Sequence, residues 1–362
     1  MLDRIILLPY YLTLKVRNRY YRKRGHRAEV PTICLGNITV GGTGKTPHTE
    51  MILDMLQQSD EWGGRNIAIL SRGYRRKSKG FQQVNYDGTS VQYGDEPLQM
   101  KRKFPAVTVA VDKDRIEGCD LLVHPEHLDQ KKYEGKVMFP EFPPSDIILL
   151  DDAFQYRKLK ADLNIVLVDY TRPVDEDRLL PLGNLRDLKE RISEADIVIL
   201  TKCPYVLEPE ERDSWATRLG VDAEKLFFTC IKYSEVIPMY DSTDRHYVYS
   251  KKAVMFTGIA QDTSMQYYLS DKYQILQKFS FGDHHRYSKA DFHSILNCVQ
   301  KHQTAAVITT EKDAMRVYDY KGVPEMLKER MFYLPIQVDF LSFEERLRFT
   351  DMMLKKINTG KR

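Results

Sequence analysis

Three features of this sequence predict an α/β protein. An apolar run, Val30 to Leu35, enters a glycine-rich loop that closes on Gly44-Lys45-Thr46 and continues into residues with helical spacing. A second apolar run, Asp146 to Asp152, ends in adjacent carboxylates. From about Val236 the alternation of apolar runs and helical stretches starts again. Such alternation favours a mostly parallel sheet covered by helices. The expected fold is a P-loop NTPase-like sheet sandwiched by helices, with a second, smaller α/β domain and an N-terminal interfacial helix. The expected boundaries are 1–30 for a basic arm, 31–235 for the P-loop domain and 236–362 for the smaller domain.

The arm comes first. The apolar stretch Ile5 to Leu14 is interrupted by Pro9 and is too short for the about 20 residues that span a bilayer. Charge follows it, whereas a signal peptide carries its charge first. Residues 1–30 hold eight Lys/Arg against Asp3 and Glu29, so the arm is +6 and the rest of the +4 chain is −2. An interfacial helix is expected, with Leu7, Leu8, Tyr10, Tyr11, Leu12 and Leu14 in lipid and Lys15 to Arg27 on anionic head groups. The competing reading is a basic helix docked on the protein's own surface or on nucleic acid. Motifs of RNA-binding modules are absent and the body is slightly acidic, so no nucleic acid is expected. The five cysteines are scattered without a C-x-x-C pair, so neither a disulfide framework nor a zinc site is indicated, and a reducing compartment is expected.

The loop Gly36-Asn37-Ile38-Thr39-Val40-Gly41-Gly42-Thr43-Gly44-Lys45-Thr46-Pro47 is the strongest local signal. Glycines let backbone N–H groups converge on phosphate, a helix N-terminus adds positive field, the Lys reaches outer phosphates and the Thr hydroxyl suits Mg²⁺. The usual pattern has glycine at position 39; here Gly41 and Gly42 are expected to supply the turn. Asn66 to Leu70 reads as a strand ending in Ser71-Arg72-Gly73-Tyr74-Arg75-Arg76, where cationic side chains suit phosphate or remain solvated. Asp95 and Glu96 precede a helix; they either cap it or bind Mg²⁺ and accept a proton. Val107 to Val111 is another strand. His124 and His127 have no third ligand candidate in their polar stretch and are expected to be surface residues. Asp146 to Asp152 delivers Asp151 and Asp152 to a strand end in the Walker B manner. Leu163 to Asp169 and Ala195 to Thr201 are further strands. Thr201-Lys202-Cys203-Pro204 lacks the Asp that reads guanine, which favours ATP.

In the second half, Ala253 to Phe256, Tyr273 to Phe279, Thr304 to Ile308 and Met331 to Val338 read as strands. Asp283-His284-His285 offers a carboxylate–imidazole base, or else Asp283 caps a helix. Thr309-Thr310-Glu311-Lys312-Asp313 is expected to make surface ion pairs. Ser342 and Glu345 form a capping box for the last helix.

Taken in order, Gly36 to Pro47, Ser71-Arg72-Gly73-Tyr74, Gly94-Asp95-Glu96-Pro97, Asp151-Asp152 with Phe154-Gln155, Leu180-Pro181-x-Gly183-x-Leu185-Arg186, Asp283-His284-His285 and Thr310-Glu311-Lys312-Asp313 resemble the tetraacyldisaccharide 4'-kinase family of Gram-negative bacteria. Thr39 is normal for that family. Ala153 and Tyr156 stand where its members commonly carry Gly and His, which makes a positive φ at position 153 less comfortable and removes any role of that His.

The resemblance implies ATP- and Mg²⁺-dependent phosphorylation of the 4'-hydroxyl of a tetraacylated glucosamine disaccharide 1-phosphate, giving lipid IVA. It implies a place at the cytoplasmic face of the inner membrane and a smaller domain that closes over the nucleotide. On that basis Gly41, Gly42, Thr43, Gly44, Lys45 and Thr46 hold the phosphates. Thr46, Glu96 and Asp151 or Asp152 hold the metal. Asp95 accepts the hydroxyl proton, with His284 orienting or sharing it, and Arg72, Tyr74 and Arg186 contact substrate. The expected partners are the lipid A disaccharide precursor and an anionic membrane surface, with the chain acting as a monomer. The alternative is a peripheral-membrane P-loop ATPase switch or metallochaperone, for which Asp283-His284-His285 has no use.

Overall fold

The computed structural model describes residues 2–22, 24–138 and 140–359. Met1 and Lys23 of the expected arm, the side chains of residues 2–6 and the last three residues of the expected smaller domain lie outside the described residues.

The chain forms two compact units. The first comprises Met1–Tyr86, Met100–Ile231 and Val338–Arg362; the second comprises Asp87–Gln99 and Lys232–Gln337. Compared with boundaries at 30/31 and 235/236, this division returns the last helix to the first unit and gives the Asp95-Glu96 segment to the second. The reason is long-range pairing. Asp319 accepts from the Ser90 backbone N–H at 2.7 Å, which ties the excursion to the second unit.

The first unit is built on β1 (Thr32–Asn37), β2 (Ile67–Ser71), β3 (Gln82–Gln83), β4 (Thr108–Val111), β5 (Ile147–Asp151), β6 (Leu163–Asp169), β7 (Ile197–Thr201) and β8 (Leu226–Tyr233). With β14 (Ile336–Phe340) they form a nine-stranded sheet in the order β14-β8-β7-β6-β1-β5-β2-β4-β3. From β8 to β4 every pairing is parallel, and β3 is antiparallel. Strands β1, β2, β5 and β7 are buried along their whole length. That burial is why their sequences read as continuous apolar runs rather than alternating ones. Their carboxyl ends present Asn37, Ser71, Asp151, Asp169 and Thr201 together, the edge where open α/β sheets bind ligands.

The second unit holds β9 (Ile237–Pro238), β10 (Lys252–Thr257), β11 (Gln274–Ser280), β12 (Ala306–Thr310) and β13 (Met331–Leu334), ordered β11-β10-β12-β13-β9. Its core gathers Phe256, Phe292, Ile295 and Val307 under the helix Lys289–Lys301. The expected single strand Met331 to Val338 is two strands in two sheets, divided at Pro335, which has no N–H to continue a ladder. The capping box at the last helix is half made. Ser342 Oγ accepts from Glu345 N at 3.1 Å, but the Glu345 carboxylate accepts from Phe228 N at 2.8 Å instead.

Helix α1 spans Leu2–Arg22. One side docks on the first unit: Leu14 is buried, and Tyr10 Oη donates to the Arg186 carbonyl at 3.2 Å. Leu14 and Tyr10 therefore do not enter lipid as expected. On another side Leu8, Leu12, Val16 and Tyr20 are all exposed at a spacing of four residues, one continuous helical stripe. Among the described residues no helix is long and apolar enough to cross a membrane.

Candidate active site

The loop after β1 leads into α2 (Lys45–Gln58). Gly41, Gly42 and Gly44 have φ of 67°, 68° and 82°. Nothing lies within 4 Å of a Cβ built on Gly41, so conformation rather than crowding demands glycine there. Thr39 needs no such freedom, because it pairs antiparallel with Leu185 in an isolated bridge. Gly44 caps α2 without a side-chain hydrogen bond. The first-turn N–H groups of α2 are thus left to an external acceptor.

Side chains brace this loop from three directions. Asn37 Nδ2 donates to Thr43 Oγ1 at 2.7 Å. Thr201 Oγ1, at the end of β7, donates to the Thr43 carbonyl at 3.1 Å. His48 Nδ1 lies 2.7 Å from the Gly44 carbonyl and its Nε2 lies 2.9 Å from Thr229 Oγ1. A carbonyl only accepts, so Nδ1 carries the proton. Arg172 Nη2 donates to the Gly41 carbonyl at 2.8 Å, while Asp169 Oδ2 accepts from Arg172 Nε at 3.2 Å and Lys202 Nζ at 2.7 Å. Lys202, in the Thr201-Lys202 pair, is therefore engaged with Asp169. Sequence reasoning missed His48, Asp169 and Arg172. The i, i+4 spacing of Gly44 and His48 was the one available signal.

Lys45 Nζ lies 3.8 Å from Asp152 Oδ1. Arg186 grips the same carboxylate through both terminal nitrogens, and its Nη2 also reaches Asn37 Oδ1. Burial pushes the Asp152 carboxyl up, but Lys45 and Arg186 outweigh it and hold it below the usual range. Asp151 accepts from Ser71 Oγ at 3.0 Å, and buried Arg115 donates to the Asp151 carbonyl at 3.3 Å. The left-handed residue of this turn is Asp152, with φ 50°, and not Ala153. Alanine at 153 therefore meets no backbone penalty. Tyr156, in place of the family's His, donates to Asp114 Oδ1 at 2.7 Å. Gly183 is required by contact, because a Cβ there would lie 2.4 Å from the Arg178 carbonyl oxygen. Arg72 and Tyr74 are exposed, with the Arg75 guanidinium 5.5 Å from the Tyr74 ring centroid.

Thr46, Asp151 and Asp152 offer only oxygen donors, which suits a hard cation such as Mg²⁺. Glu96 belongs to the second unit, where its carboxylate accepts from Lys312 Nζ at 2.8 Å.

The second unit carries its own constellation. Asp95 is buried at the start of the helix Asp95–Lys103. Its Oδ2 accepts from Arg316 Nε at 3.1 Å and lies 3.1 Å from His284 Nδ1, with Lys312 Nζ 4.0 Å away. Burial favours the neutral acid, but the His284 hydrogen bond and the Lys312 and Arg316 charges hold this carboxyl far below the usual range. Burial opposes the charges of Lys312 and Arg316 in turn. The facing carboxylates, Glu96 first for Lys312 and Asp95 first for Arg316, nonetheless raise both pKa values. Lys312 is thus part of a half-buried charge cluster, not of the surface ion pairs expected. His284 has φ 58°, its N–H donating to the Gly258 carbonyl at 3.1 Å. Left-handed backbone at a non-glycine residue concentrates at functional sites. Arg316 donates to Gly258 O at 2.9 Å and to Asp313 Oδ1 at 2.8 Å, so one guanidinium positions both Asp95 and the turn that carries His284. The helix after this turn is capped by Ser288, which rules out helix capping as the reason for Asp283.

Comparisons with known proteins identify the family. The family model described as Tetraacyldisaccharide-1-P 4'-kinase matches residues 4–358. A Tetraacyldisaccharide 4'-kinase of Phocaeicola vulgatus is 37% identical over 334 residues, covering 90% of this chain and 86% of that protein. Its counterpart in Parabacteroides distasonis is 34% identical over 361 residues, covering 97% and 92%. A crystal structure of LpxK from Aquifex aeolicus in complex with ATP superposes with a TM-score of 0.69 at 26% identity, covering 99% of this chain and all of that one.

Proposed function

Because this chain belongs to the tetraacyldisaccharide-1-P 4'-kinase family, we propose that its first unit holds ATP and that the Asp95–His284 pair of its second unit deprotonates the acceptor. The protein is an ATP-dependent kinase of lipid A biosynthesis, acting on the 4'-hydroxyl of a lipid A disaccharide precursor. The single observation that supports the division of labour is the pair itself, a buried carboxylate bonded to an imidazole on a left-handed turn.

The amides of residues 41–46 and Lys45 bind the phosphates. Arg172 and His48 keep the loop in its binding shape through the Gly41 and Gly44 carbonyls. Thr46, Asp151 and Asp152 are the residues that would hold Mg²⁺, and the ion would neutralise charge on the transferred phosphoryl group. Arg186 acts through Asp152, which it orients, while exposed Arg72 and Tyr74 contact the acceptor. A carboxylate held so far below its usual range is a weak proton acceptor, so His284 Nε2 takes the hydroxyl proton. Asp95, at Nδ1, steadies the imidazolium that results. Phosphoryl transfer asks mainly for positioning and charge neutralisation, which is the part assigned to these side chains.

The exposed stripe Leu8, Leu12, Val16 and Tyr20 and the arm's basic residues support a peripheral position on an anionic bilayer surface. An acyl-bearing acceptor stays in the membrane, so its kinase must reach the cytoplasmic face of the inner membrane. The test is transfer from γ-labelled ATP, with Mg²⁺, to tetraacyldisaccharide 1-phosphate in micelles, beside a no-lipid control and Lys45→Ala. A labelled lipid product that vanishes with Lys45→Ala is expected. Equal phosphate release with and without lipid, and no labelled lipid, would overturn the reading in favour of an ATPase switch.

A further inference from the structure

We propose that His124, Glu126 and His127 form a surface site for a divalent transition cation of the zinc class. Contrary to the expectation of no third ligand, Glu126 stands between the two histidines in the sequence, and the fold turns all three to one place. The helix Arg115–Val123 ends at His124, and the 3-10 helix Pro125–Asp129 brings Glu126 and His127 back beside it. One donor atom from each of the three lies within 4.8 Å of the others. The two imidazole rings stack with centroids 5.0 Å apart. His124 Nδ1 and Glu126 Oε1 are 3.3 Å apart. That is the edge length of a tetrahedron whose metal–ligand bonds are about 2.0 Å.

Two further carboxylates set the ring tautomers. Asp120 Oδ2 lies 2.9 Å from His127 Nδ1, and Glu29 Oε2 lies 3.0 Å from His124 Nε2. Asp120 accepts the N–H of His127 Nδ1, which leaves a lone pair on His127 Nε2, and Glu29 accepts that of His124 Nε2; His124 Nδ1, which faces the Glu126 carboxylate, gives up its proton when a cation binds between them. A carboxylate behind a ligating imidazole is the usual outer partner of such metal sites. All five residues belong to the first unit. Two imidazole nitrogens and one carboxylate favour zinc, cobalt or nickel over magnesium or calcium. This donor set is thus distinct in chemistry from the oxygen-only set of Thr46, Asp151 and Asp152. The side chains are partly exposed, so water can complete the coordination.

The test uses full-length, tag-free protein stripped with chelator and titrated with Co²⁺ under excess Mg²⁺. The visible ligand-field band of low-coordinate, imidazole-bound cobalt is the readout. One equivalent should bind, and Zn²⁺ should displace it. The band should disappear in His124→Ala/His127→Ala, and Glu126→Gln should weaken binding at least tenfold. Asp120→Asn should weaken it about 10- to 100-fold through the loss of the outer partner. Melting temperatures establish that the variants are folded, and their kinase turnover should equal that of the wild type. No band in the wild type, or an undiminished band in the double variant, overturns the proposal.

Discussion

Lowering the pH from 7 to 4 should remove about 3 kcal/mol of stability from the first unit through His48 alone. Burial lowers the pKa of this imidazole from 6.5 to about 4, against a smaller opposing effect of its bond to the Gly44 carbonyl. The unfolded chain takes up the proton near 6.5 and the folded chain only near 4. The contribution is therefore fully present above 6.5 and is lost as the pH falls through the folded value. At about 1.4 kcal/mol per pH unit, the interval corresponds to about 3 kcal/mol. Both tryptophans, Trp62 and Trp215, lie in the first unit, so urea unfolding followed by tryptophan fluorescence reads that unit. Acid-sensitive carboxylates are common to the wild type and His48→Gln. The informative quantity is the stability difference between the two, which should shrink by about 3 kcal/mol between pH 7 and pH 4. Parallel pH dependences, with an unchanged difference, would refute the reasoning.

Arg172→Ala removes the donor to the Gly41 carbonyl, worth about 1 kcal/mol. The KM for ATP should rise about fivefold with kcat little changed; an unchanged KM would mean that the loop holds its shape without this contact. Leu12→Glu with Val16→Glu places charge in the exposed stripe of α1. Partition onto anionic vesicles should weaken by at least roughly tenfold, and activity on vesicle-borne acceptor should fall while activity in micelles stays. Equal vesicle binding would remove the stripe from the account.

What the sequence could show was what neighbours in the chain decide. The glycine loop, the β5 carboxylates and most strand positions are local patterns of burial and turn chemistry, and they stand where the sequence placed them. Features set by long-range pairing were not legible. Strand β8 went unnoticed. Asp87–Gln99 leaves the first unit because of pairings such as Ser90 with Asp319, more than 200 residues away in sequence. Arg186 read as a substrate contact, and nothing local announced that its terminal nitrogens also bind Asp152 and Asn37. Arg316, the cation that organises Asp95 and the His284 turn, had no motif to announce it. The expectation for Leu14 and Tyr10 failed because apolar spacing does not say which face of a helix meets protein.

The most direct test of the central claim is a double-mutant cycle on kcat with Asp95→Asn, His284→Ala and the combined variant, at saturating ATP and acceptor. If the two side chains act as one proton-accepting pair, each single variant should lose roughly 10²- to 10⁴-fold. The double variant should lose no more than the worse single, with the KM for ATP unchanged in all three. Losses that multiply, or near-normal turnover in Asp95→Asn, would contradict it.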